Sequence, residues 1–227
     1  MTRDPRVALT FALALGIAVQ LAAKPATAQD VDALEVPDQQ SVILERADRA
    51  RSKGDPAAPI RIVEISDFEC PFCANFYLDS YHAIDSLYVQ SGLARYVWIS
   101  FPNSTHPRAW PAIEAAFCAG AAGRFWAMHD VLFERRDQWA EAADPNMLFR
   151  LWAAEIGIEE DSFARCLRND QTAPLQVRDY ESAITAGVTS TPFFIVGDSV
   201  AIRGAVPLDT FRSAIDSVLV LRGHNAP

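Results

Sequence analysis

Ile60–Tyr81, IRIVEISDFECPFCANFYLDSY, decides the fold: a run of branched apolar residues ends in Cys70-Pro71-Phe72-Cys73 and passes directly into a helical pattern. Ile60, Ile62, Val63 and Ile65 have the β-branching and shortness of a buried strand, whereas Phe72, Phe76, Tyr77, Tyr81, Ile84 and Tyr88 recur at helical spacing. A helix therefore begins at the cysteines. Pro71 suits its first position, because the ring fixes a helical φ and the missing N–H would have had no partner there. Cys70 then falls on the N-cap side, where unpaired backbone N–H groups and the positive end of the helix dipole favour a thiolate. Cys73, one turn in, faces back toward it. A C-x-x-C can also be half a zinc site or a structural staple, but no second C-x-x-C completes a four-sulfur site. The spacing points to dithiol exchange, with no metal and no cofactor expected.

The 227 residues carry a formal net charge of −9. Arg3 and Arg6, an apolar run from Val7 to Ala23 and the A-x-A signature Ala26-Thr27-Ala28 read as a secretory signal peptide over residues 1–28, with an uncleaved N-terminal anchor as the alternative. Export places the chain in a periplasm, or at the extracytoplasmic face of the cell envelope, where disulfides persist. Removing Arg3, Arg6 and Lys24 together with Asp4 takes the charge from −9 to −11. Such an acidic surface repels phosphate and anionic lipid, so neither nucleic acid nor a membrane surface is an expected partner.

Residues 29–58 begin polar and then place Val42, Ile43, Ala47 and Ala50 among charges, a short amphipathic helix in an N-terminal leader that could also serve self-association. After the first strand and helix, Ala94–Phe101 reads as a second strand, parallel to the first because a helix intervenes. Residues 104–186 form a helical insertion, with breaks near Gly120–Gly123, Ala143–Pro145, Gly157 and Asp170–Pro174. Pro192–Val196 and Val200–Arg203, separated by Gly197-Asp198, make a hairpin, and Pro207–Leu221 is a closing amphipathic helix. The core thus comprises residues 59–103 and 187–222, with a tail at 223–227.

KGDPAAPIRIVEISDFECPFC, together with THPRAW, GRFWAMHDVLF and GVTSTPFFIVG downstream, resembles the DsbA-like family of exported thioredoxin-fold thiol-disulfide oxidoreductases from about Lys53 to Leu221. The resemblance implies an α/β thioredoxin fold: a central mixed β-sheet flanked by helices, with an all-helical insertion after the second core strand. It also implies that Glu64, six residues before Cys70, lies beneath the redox pair and exchanges a proton with Cys73; the bland readings are an exposed strand carboxylate or one paired with arginine. Thr191-Pro192 matches the family's cis-proline loop, which pairs with an extended substrate peptide, so Thr191, Pro192 and Phe72 are the expected substrate-binding residues. From sequence alone a trans bond would be the default.

Asp67 and Glu69 read as solvated loop residues, or as charges that tune Cys70. Cys118 and Cys166 leave three readings open, as buried hydrophobes, a second redox centre or a structural disulfide; the even cysteine count of an exported chain favours the disulfide. His129 reads as a packing residue, and the aromatic residues of the insertion as core.

Cys70, expected at the exposed helix terminus, is the attacking and attacked sulfur, and Cys73 the buried resolving thiol. The family likeness favours the oxidase direction. Phe72, where strong oxidants of the family often carry His, and Thr191 favour a reductase or isomerase. The expected partners are exported proteins with cysteines and a redox partner that recycles the pair; the oligomeric state stays open. A rival of another class is a non-catalytic peptide-binding holdase.

Overall fold

A computed structural model describes residues 38–227, so the signal-peptide reading of residues 1–28 lies outside the described residues. Helix α1, Gln39–Ala50, starts where the Asp38 carboxylate accepts the Ser41 N–H at 2.9 Å. It packs across α4, Ala109–Ala121, with Ala47 fully buried and Gly120 so close that a Cβ there would sit 3.4 Å from the Ala47 Cα.

The chain then makes β1, Ser52–Lys53, and β2, Ile60–Ser66. Helix α2, Pro71–Phe76, runs on through a wide turn at Tyr77–Tyr81, α3 at His82–Ile84 and a second wide turn at Asp85–Val89 before β3, Ala94–Ser100. The helical region between β3 and β4 comprises α4, α5 (Phe125–Glu134), α6 (Arg136–Trp139), α7 (Asn146–Glu155), α8 (Glu160–Arg168) and α9 (Ala173–Thr185). Strands β4, Phe193–Val196, and β5, Val200–Arg203, followed by α10, Leu208–Leu221, complete the fold.

These strands form one five-stranded mixed sheet in the order β1-β3-β2-β4-β5. β2 is central, parallel to β3 and antiparallel to β4, so Glu64 lies between Trp98 and Phe194. Strand periodicity puts Ile60, Ile62, Glu64 and Ser66 on one face and Val63 and Ile65 on the other. The first face packs with Cys73, Phe76 and the aromatic core; the second packs with Ala183, Val188 and Phe193. Both faces of β2 are covered by helices, as parallel pairing requires.

Two features were not legible in the sequence pattern. β1 lies in the stretch read as a leader, and it pairs antiparallel with β3 over only Ser52↔Val97 and Lys53↔Tyr96, too short for any alternation to show. Gly54 follows it with φ +91°, and a Cβ there would meet the Ala94 carbonyl oxygen at 2.6 Å, so glycine lets this edge strand lie against β3. Among the described residues no helix is long and apolar enough to cross a membrane.

Candidate active site

The β2-to-α2 turn holds the site. Cys70 is the N-cap of α2 in extended conformation, and Pro71 is the first helical residue. The Cys70 N–H donates to the Asp67 carbonyl at 3.1 Å, and the Ala74 N–H donates to the Cys70 carbonyl at 3.1 Å. Both cysteines are free thiols. Cys73 is fully buried, and Cys70 is 4% exposed, less open than an exposed terminus would be. The reason is the loop before β4: the Cys70 Sγ donates to the Thr191 carbonyl at 3.6 Å, and the Thr191-Pro192 peptide bond is cis. Phe72, 60% exposed, stands beside them at the surface.

The two sulfurs differ sharply in acidity. The Cys73 thiol's hydrogen bond, the Thr191 side chain and the backbone N–H groups of Cys73 and Phe72 pull Cys70 down to about 6, against the opposing effect of burial. Burial pushes Cys73 well above the ordinary thiol value, and the neighbouring Cys70 pushes it further. At neutral pH the Cys70 thiol is therefore mostly ionised and Cys73 keeps its proton.

Glu64 is neither exposed nor paired with arginine. It is buried, and its Oε2 accepts the Tyr96 hydroxyl at 2.6 Å. Burial pushes its carboxyl up to about 7, with Tyr96 and Ser66 opposing. Its Oε1 has no hydrogen-bond partner.

Asp67 and Glu69 are not solvated loop residues. Asp67 is fully buried and accepts the Glu69 N–H at 2.8 Å, the Asn103 N–H at 3.0 Å and His106 Nδ1 at 2.6 Å. Glu69 accepts the Arg108 N–H at 2.6 Å, and its carbonyl receives Arg136 Nε at 2.9 Å. A buried carboxylate needs donors, and the backbone N–H groups of the loop after β3 supply them. Asp67 also raises the His106 pKa, with smaller contributions from the Cys70 and Glu69 charges. Sequence reading missed this: the DFEC and THPRAW stretches meet only through the β2–β3 pairing.

In the helical region Cys118 and Cys166 are joined, with sulfurs 1.97 Å apart across a sequence separation of 48. The Glu114 carboxylate lies beside them, but both sulfurs are bonded to each other and neither is a thiolate. His129 is fully buried among Phe68, Tyr77, Tyr81, Trp126 and Phe133.

A family model described as thioredoxin matches residues 47–217. The chain belongs to the thioredoxin family. Its fold is similar to alpha-DsbA1 of Wolbachia pipientis, at 24% identity over 76% of this chain and 92% of that one, TM-score 0.68. BdbD of Bacillus subtilis is similar at 21% identity over 75% and 92%, TM-score 0.68. A Salinispora tropica protein named Na(+)/H(+) antiporter NhaA 3 is 35% identical over 150 residues, 66% of this chain and 22% of the relative. The chain spans about a fifth of the length of such curated relatives.

Proposed function

We propose that the protein exchanges disulfides with the cysteines of other exported proteins through Cys70 and Cys73, in the oxidase direction. The observation that carries this is the contrast between a Cys70 thiol pulled to about 6 at a helix N-cap and a fully buried Cys73. In the oxidised enzyme a substrate thiolate attacks Cys70 Sγ; a Cys70–substrate disulfide forms, the Cys70–Cys73 bond breaks, and Cys73 leaves as a thiolate. That sulfur holds a proton far more tightly than Glu64 does, so protonated Glu64 is its donor. A second substrate thiolate then attacks the substrate sulfur and releases Cys70 as a stable thiolate. The substrate dithiol is oxidised and the Cys70–Cys73 disulfide reduced. Thr191, whose carbonyl already meets Cys70, and cis-Pro192 line the place where an extended peptide would lie, with Phe72 as an apolar contact.

A reductase or isomerase of the same fold is the second reading, favoured by Phe72 in place of a cationic residue and by Thr191. Residues 1–28 fit a role outside the cytoplasm, where a separate redox partner would reoxidise the pair. The test is oxidation of a reduced two-cysteine peptide by the oxidised protein, with Cys70→Ser and Cys73→Ser variants. Loss of turnover in Cys70→Ser and a trapped mixed disulfide in Cys73→Ser are expected. Turnover that survives Cys70→Ser would overturn the proposal, and suppression of client aggregation without thiol turnover would favour a holdase.

A further inference from the structure

Two buried polar atoms beneath the redox pair have no hydrogen-bond partner: Glu64 Oε1 and Ser66 Oγ. They lie two residues apart on β2, hence on the same face, and that face packs with Cys73 in the central core. Ser66, Glu64 and Cys73 are all essentially inaccessible to solvent. A buried hydroxyl without a partner is costly and rare enough to need a reason. Here the Ser66 hydroxyl is near enough to favour the charged forms of both the Glu64 carboxyl and the Cys73 thiol, yet it is in hydrogen-bond geometry to neither. It shares a face of β2 with the Glu64 carboxyl, and that face packs with Cys73.

We propose that Ser66 is a positioning residue that relays the proton between Glu64 Oε1 and Cys73 Sγ, a role that rests on the reading of Glu64 as the acid. When a substrate thiolate attacks Cys70 and expels the Cys73 thiolate, Ser66 Oγ–H passes its proton to Cys73 Sγ while accepting the Glu64 proton on the same oxygen. The hydroxyl is restored, the carboxyl becomes a carboxylate, and Cys73 becomes a thiol. Reoxidation of the pair runs the transfer in reverse. The other titratable groups facing Glu64 are Tyr96 on β3, Lys53 on β1 and Tyr81 on the helix that continues α2. Tyr96 already occupies Oε2, which leaves Oε1 as the exchanging oxygen.

The experiment measures the rate at which a dithiol peptide reduces the oxidised protein, as a function of pH, for wild type, Ser66→Ala, Ser66→Thr, Glu64→Gln and the double variant Ser66→Ala/Glu64→Gln. General acid catalysis contributes a factor of about 10² or more, so a drop of about tenfold or greater is expected in both Ser66→Ala and Glu64→Gln. The double variant should fall no further, because both changes interrupt one path. Ser66→Thr keeps a hydroxyl and should recover most of the rate, and the wild-type inflection near pH 7 should vanish in Ser66→Ala as in Glu64→Gln. Thermal melting separates a folding defect from the relay, since removing an unpartnered hydroxyl should leave the melting temperature near that of wild type. A wild-type rate in Ser66→Ala beside a slow Glu64→Gln would overturn the relay and leave Glu64 as the acid. Wild-type rates in both would overturn both.

Discussion

The molecule holds two cysteine pairs, each with a buried carboxylate beside it, and the two differ in what is left unpaired. At Cys118–Cys166 the sulfurs are joined and Glu114 is fully occupied: its Oε1 accepts the Thr172 N–H at 2.9 Å and lies 3.7 Å from Cys118 Sγ, while its Oε2 takes Gln176 Nε2. At Cys70–Cys73 the sulfurs are free, and Glu64 has one oxygen bonded to Tyr96 and one bonded to nothing. Burial raises both carboxyls. A carboxylate whose oxygens are all spent fastens elements together, here α4 to the start of α9. One with a free oxygen in a dry core can move a proton.

Substitution should separate the pairs most sharply. Cys70→Ser should abolish peptide oxidation, whereas a double Cys118→Ser/Cys166→Ser variant should retain it at temperatures where it stays folded. The cost of the latter change is in stability: opening a loop of 48 residues should remove about 4 kcal/mol by the chain-entropy estimate, read as a lower denaturant midpoint. Loss of peptide oxidation on removing Cys118 and Cys166 would dissolve the distinction.

The carboxylates sharpen the comparison at the next level. Glu64 is raised from 4.5 to about 7, so the stability it contributes is fully present below about 4.5 and is lost as pH rises toward 7. Glu64→Gln should flatten that decline and stabilise the protein above pH 7 by roughly 1–3 kcal/mol, as chemical denaturation across pH would show. Glu114→Gln should instead destabilise by about 1–3 kcal/mol, because the amide has one acceptor oxygen where the carboxylate accepts from both Thr172 and Gln176.

The smallest effect concerns redox poise. At pH 7 a thiol pulled to about 6 instead of 9 stabilises the reduced form by roughly 1.4 kcal/mol, about 30 mV. A thiol at about 3.5, as in the strongly oxidising DsbA, gains roughly 100 mV, so a potential about 70 mV below its −120 mV is expected, near −190 mV. Equilibration with glutathione measures it. A value near −270 mV would shift the reading to a reductase.

The order of strands and helices is readable in the chain because strong local signals coincide. The branched run Ile60–Ile65, Pro71 at the first helical position and the Gly197-Asp198 turn each specify one element. The DsbA-like resemblance placed Glu64 and Thr191-Pro192 relative to the cysteines. What could not be read were contacts between segments distant in sequence. Asp67 and Glu69 look solvated in isolation and are buried because the loop at Asn103–Arg108 folds over them. Ser66 looks like an ordinary strand residue until its partnerless hydroxyl is seen beside Glu64. The two-residue β1 carries no periodicity, and only its pairing with β3 reveals it.

Whether Cys70 is the activated sulfur of the pair can be read from a pH titration of thiolate ultraviolet absorbance in the reduced protein. A midpoint near 6 that disappears in Cys70→Ser, with Cys73 silent up to far higher pH, is the expected result. A single midpoint near the ordinary 9, unchanged by Cys70→Ser, would contradict it.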